Sequence, residues 1–70
     1  MSKEFRIKLG NKIKYLRKKN NISLKEAAEK AKISKSNLIR IEKGLVNTGL
    51  ITLAKISKVL NIKLSELFNL

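Results

Sequence analysis

SLKEAAEKAKISKSNLIRIEKG, residues 23–44, holds two helix starts and one helix stop in a single short stretch. Ser23-Leu24-Lys25-Glu26 has the form of a capping box: the Ser23 hydroxyl accepts from a first-turn amide and Glu26 reaches back to the cap. Leu24, Ala27, Ala28 and Ala31 then give a short helix a face of mostly small side chains, which lets another backbone come close. Ser34 is a second N-cap. Leu38 and Ile41 occupy the buried side of a helix running to about Lys43. Gly44 stops it, because glycine tolerates the left-handed conformation just past a helix C-terminus.

The flanking sequence is helical as well. Phe5, Leu9, Ile13 and Leu16 recur at four-four-three spacing, one apolar stripe on a helix from about Lys3 to Lys19, with Lys8, Lys12 and Lys19 off it. Asn20-Asn21 breaks this pattern, since short amides compete for backbone hydrogen bonds. Leu45 to Thr48 reads as a loop, with Thr48 the expected cap of a fourth helix. Leu50, Leu53, Ile56, Ser57 and Leu60 give that helix a broad apolar face, with Lys55 and Lys58 outside it. Asn61 interrupts, and Leu64, Leu67 and Phe68 fit a short fifth helix capped near Lys63. There is no proline, and no run of β-branched or aromatic residues alternates with polar ones. The expectation is an all-α chain of five helices, a single domain over residues 1–70 without linker, repeat or low-complexity segment.

Composition narrows the function. Without cysteine or histidine there is no disulfide, thiol nucleophile, imidazole base, or thiolate or imidazole zinc site. The five carboxylates are scattered and no glycine-rich phosphate loop exists, so no catalytic residue, metal or cofactor is expected and the chain reads as no enzyme. No run approaches the roughly 18 apolar residues of a membrane span, and the N-terminus lacks a secretory pattern; a cytoplasmic protein is expected. Seventeen Lys and Arg against five Asp and Glu give a net charge of +12, which calls for a polyanionic partner. Residues 1–43 carry 14 of the 17 basic side chains and 4 of the 5 acids, a balance of +10 on the first three helices. A cationic membrane-active peptide is disfavoured, because the periodic faces can bury one another.

Residues 23–44, with Leu9-Gly10 and Leu16-Arg17 before them and Leu53, Ile56, Leu60, Ile62, Leu64, Leu67 and Phe68 after, resemble the helix-turn-helix of the phage-repressor and Cro type, the xenobiotic-response-element family. The resemblance covers about residues 6–68 and implies a repressor-like DNA-binding domain, its helix-turn-helix proper at 23–43. Two helices crossing at such a turn need a small residue at the joint, the place of Ala28. In this family the second helix points its N-terminal residues at base edges in the major groove, which makes Lys35, Ser36, Asn37 and Arg40 the expected base readers. Arg40 has the fork geometry for guanine O6 and N7. The resemblance further implies that Arg17 pairs with Glu42 and approaches the DNA backbone. It also implies phosphate contacts from Ser23 and Leu24 at the start of the first motif helix and from Lys43 and Asn47.

Two positions depart from the family. Leu24 stands where a phosphate-binding glutamine is usual, and Lys32 where the turn often has glycine. Tyr15 reads as half-buried packing. Leu64, Leu67, Phe68 and Leu70 are the expected seam of a homodimer, which suits a palindromic operator. The resulting expectation is a sequence-specific regulator of transcription, a repressor or autoregulator, of bacterial, phage or mobile-element origin. Its partner is double-stranded DNA, with no membrane and no small-molecule ligand, and a chain ending at Leu70 is expected to be controlled by concentration, dimerisation or a protein partner. The alternative is an antitoxin or a restriction–modification controller whose main partner is a protein. Asn47 and the helix after it resemble the controller group, whereas SKSNLIRIEKG lacks the aromatic common in that group's recognition helix.

Overall fold

A computed structural model describes residues Met1–Leu70 and contains helices only: α1 Lys3–Lys19, α2 Leu24–Ala31, α3 Lys35–Glu42, α4 Leu50–Val59 and α5 Leu64–Leu67. The first three begin on serine. The Ser2, Ser23 and Ser34 hydroxyls accept from the amides of Phe5, Glu26 and Asn37 at 3.0–3.1 Å. The capping box at Ser23 is only half formed, because Glu26 turns to Lys30 at 3.0 Å, one helical turn on, instead of reaching back. The fourth helix corrects the expectation at Thr48: its N-cap is Gly49, with no side-chain bond. Starting there leaves Leu50 on the outer side of the first turn, 65% exposed, and not on the buried face with Leu53, Ile56 and Leu60.

One device ends α1 to α4. The amides of Asn21, Lys32, Gly44 and Asn61 bond carbonyls three residues back, and those of Ile22, Ile33, Leu45 and Ile62 bond carbonyls five back. These are Schellman motifs, which need a left-handed residue at the turn. All four turn residues have φ between 56° and 73°. Asparagine and glycine take that conformation readily, but lysine does so at a cost of about 1–2 kcal/mol. Lys32→Gly removes that strain but adds chain entropy to the unfolded state, so a net gain of about 1 kcal/mol or less is expected. A rise of a few degrees in the thermal midpoint by circular dichroism checks it; a fall would mean that contacts of the lysine stem outweigh the strain.

The residue after each left-handed turn is aliphatic in all four motifs. Ile22, Ile33 and Ile62 pack against the core, but Leu45 is 64% exposed.

The core is one cluster of eleven residues, with Ile13, Leu38, Leu53 and Leu67 the largest side chains fully enclosed. The α2–α3 crossing is lined by Ala27, Ala28 and Ala31, all buried. α1 lies across α3, α4 packs on α2, and α5 closes against α4 and α1. α1 and α3 touch at Gly10, where a Cβ would lie 2.4 Å from the Glu42 carbonyl oxygen and 2.5 Å from that of Ile41. At the far end of α1 the rings of Phe5 and Phe68 stack at 6.0 Å. Tyr15, expected half-buried, is 61% exposed, with Lys19 Nζ 5.9 Å from its ring centre. It lies off the Leu9–Ile13–Leu16 stripe, and no other helix covers that side of α1. No helix is long and apolar enough to cross a membrane.

Candidate nucleic-acid interface

α3 is held by its inner side chains, Leu38 and Ile41, and presents its outer ones to solvent. Lys35, Ser36 and Arg40 are exposed and Asn37 is half-buried. Ser36 and Arg40 are one turn apart on the same side. The amide of Asn37 is taken by Ser34 Oγ and that of Leu38 by Ser34 O. The amides of Lys35 and Ser36 have no acceptor within the chain, so they add the positive end of the helix dipole to the two cations.

Behind this face Arg17 clamps three segments. Its Nε meets Glu42 Oε2 at 2.7 Å and its Nη2 meets Oε1 at 3.1 Å, a bidentate pair joining the end of α1 to the end of α3. Nη1 donates to the Ile22 carbonyl at 2.9 Å, fixing the turn that enters α2. Arg17 is 6% and Glu42 7% exposed. With these donors committed inside the protein, Arg17 serves first as a clamp on the frame that carries α3.

A groove of about 440 Å³ runs beside that pair, bounded by Asn11, Lys14, Arg17 and Lys18 of α1, Leu24 of α2, and Ile39, Glu42 and Lys43 of α3. Lys14, Lys18 and Lys43 are exposed around it, and none has a carboxylate within ion-pair distance. Leu24 and Ile39, both half-buried, form its apolar floor. The Ser23 hydroxyl is engaged with the Glu26 amide, while the amides of Leu24 and Lys25 have no acceptor in the chain. The groove can therefore hold an anion without the missing glutamine, through three lysines and the free amide of Leu24.

Asn11, Lys14 and Lys18 were not among the residues singled out from the sequence. Their spacing of three and four marks one side of α1, but only the packing of α1 on α3 sets that side beside Lys43. Asn47 lies exposed in the loop before α4 and does not line the groove.

Of the expected dimer seam, Leu67 has no exposed surface and belongs to the core of its own chain, which corrects that position, while Phe68 is half-buried and stacked on Phe5. Leu64 is half-buried against the same core, and Leu70, 47% exposed, is the most open of the four. A domain this small has to use its last aromatic and leucine residues to close itself.

The sequence profile described as Helix-turn-helix (HTH_3) matches residues 13–67. This chain belongs to the helix-turn-helix family. Within it, the chain is 40% identical to the control protein C.MunI of a Mycoplasma species over 67 residues, which is 94% of this chain and 90% of that one. It is 42% identical to the transcriptional regulator SinR of Bacillus licheniformis over 87% of its own length and 56% of SinR's. The crystal structure of SinR, a master regulator of biofilm formation, in complex with DNA superposes with a TM-score of 0.82 at 40% identity, covering 87% of this chain and 98% of that one. The restriction–modification controller protein C.AhdI from Aeromonas hydrophila superposes with a TM-score of 0.86 at 27% identity, over 89% of this chain and 94% of C.AhdI.

Proposed function

We propose that this helix-turn-helix chain is a sequence-specific, duplex-DNA-binding regulator of transcription that works in the cytoplasm as a repressor or autoregulator. The observation that carries the reading is the outer half of α3. Lys35, Ser36 and Arg40, with two unpaired amides, stand on one exposed surface beside a groove rimmed by three lysines. α3 lies in the major groove, where Arg40 and Lys35 read guanine edges and Asn37 and Ser36 make shorter polar contacts. The Leu24 and Lys25 amides, Lys14, Lys18 and Lys43 hold the sugar–phosphate backbone, with Asn47 reaching it from the loop. Phosphate contacts fix register and α3 supplies discrimination.

Selection from random duplexes tests this division. Arg40→Ala is expected to cost about 1–3 kcal/mol on the selected site and to relax the base preference at one position of each half-site. Lys18→Ala is expected to weaken all duplexes alike and to flatten the slope of log K against log salt by about 0.9 for each protomer on the site. No enriched motif, or equal losses for both variants on every sequence, would overturn sequence-specific regulation.

The reading includes a homodimer on a palindromic site, with recognition helices about 34 Å apart. Gly44–Ala54 contains no charged side chain in a chain of net charge +12, and it presents Leu45, Leu50 and Ile51 at 64%, 65% and 76% exposure. Two copies so alike in charge meet with least repulsion over an uncharged surface, and a two-fold axis brings the same patch against itself. Ile51→Lys is expected to leave the helical spectrum intact and to turn the dimer into a monomer in analytical ultracentrifugation. An unchanged sedimentation coefficient at micromolar concentration places the seam elsewhere.

Among subtypes, a controller of a restriction–modification system has specific support, since C.MunI and C.AhdI are each matched over at least 90% of their length. α3 has no aromatic residue, so the operator read here differs from one that requires it.

A further inference from the structure

A second cluster of cations lies at the C-terminal end of α2. Lys30 and Lys32 on one side and Lys55 and Lys58 on the other line a pocket of about 390 Å³ whose floor is Ala31 and Val59. All four lysines are exposed, and no carboxylate is part of the lining. Lys30 alone has an ion-pair partner, Glu26, in an exposed pair one turn away. Lys55 and Lys58 are three residues apart and share a side of α4. Two short rows of positive charge thus face each other across an apolar strip. The four like charges repel one another, and one of the lysines holds a left-handed backbone position at φ 57°. The pocket is also separate from the groove beside α3, which no residue of α4 lines.

We propose that this pocket docks an acidic protein segment, one whose carboxylates meet both lysine rows while an aliphatic side chain covers Ala31 and Val59. A second copy of the chain is a poor occupant. Of its five carboxylates, Glu42 is buried against Arg17 and Glu26 is paired with Lys30, which leaves Glu4, Glu29 and Glu66 on three separate helices. A nucleic-acid backbone supplies charge but no aliphatic group for the floor. Such a segment gives the regulator a protein contact on a surface other than its duplex-reading face, and this inference stands apart from the function proposed above.

The test is fluorescence anisotropy of a labelled peptide of repeated Glu-Glu-Leu at near-physiological salt, first with the free protein and then with the protein bound to duplex. Saturable binding in both states is expected. K55Q/K58Q should weaken the peptide about tenfold, K30Q should weaken it in the same direction, and K3Q/K8Q, which removes the same charge from α1, should change it by less than about twofold. Duplex affinity should follow total charge alone, equal in the two double variants, and circular dichroism melts confirm that all variants fold. Equal peptide losses in both double variants would show only a general charge effect and overturn the proposal. Displacement of the peptide by duplex, with K55Q/K58Q costing more duplex affinity than K3Q/K8Q, would assign the pocket to nucleic acid instead. No saturable binding to the free protein would also overturn it. Because the peptide is measured without DNA, failure of the duplex reading leaves the result interpretable.

Discussion

Gly10→Ala is expected to destabilise the domain by about 3 kcal/mol, at the upper end of the cost of overpacking, and to lower the thermal midpoint by more than about 10 °C. Alanine is ordinarily the better helix former, by about 1 kcal/mol over glycine, so intrinsic propensity predicts the opposite sign. Contact decides it. The added Cβ meets two backbone oxygens, those of Glu42 and Ile41, at 2.4 and 2.5 Å, and backbone cannot swing aside as a long side chain can. α1 must lift off α3, which also separates Lys14 and Lys18 from Lys43 and opens the groove. Gly49→Ala is the control. Nothing lies within 4 Å of its Cβ and its φ is −67°, so a change below about 1 kcal/mol is expected. Thermal unfolding of the two variants by circular dichroism makes the comparison, and equal midpoints would mean that α1 and α3 are less closely seated at Gly10.

Glu42→Ala should cost about 3–5 kcal/mol, because it leaves the Arg17 guanidinium buried without its counter-charge. That loss is a large part of the total stability available to a 70-residue domain, about 0.05–0.15 kcal/mol per residue. The double variant Arg17→Met/Glu42→Leu is expected to recover most of the loss, since apolar replacement of a buried ion pair is often neutral or favourable. Recovery of duplex binding should lag behind recovery of stability. The pair does more than fill space: with Nη1 on the Ile22 carbonyl it sets the entry to α2, and hence where the free amides of Leu24 and Lys25 point. Urea unfolding and duplex titration of the same samples separate the two effects. If the double variant regains full affinity along with stability, the clamp contributes only packing.

The helices were legible because their signals are local. A serine before an apolar-periodic run bonds the amide three residues on, as at Ser23 and Ser34, and asparagine or glycine after the run accepts the left-handed turn, as at Asn21, Gly44 and Asn61. Misreadings arose where the local signal was ambiguous. Thr48 and Gly49 are both acceptable caps, and Leu50, expected on the buried face, lies outside. Tyr15 carries no periodic mark of its own, and its exposure depends on which side of α1 the other helices cover.

Composition and order of residues alone therefore determined an all-helical chain, the outward set Lys35, Ser36 and Arg40, and a polyanion as partner, because hydrogen-bond caps, helical period and net charge are properties of neighbours along the chain. The tertiary structure alone decided that Leu67 and Phe68 close the monomer, that Asn11, Lys14 and Lys18 border the same groove as Lys43, and that Lys30, Lys32, Lys55 and Lys58 surround one pocket. Each of those depends on which helix covers which face. That choice is made by close approach at Gly10 and Ala28 and by burial of one shared core, and no residue's sequence neighbours contain it.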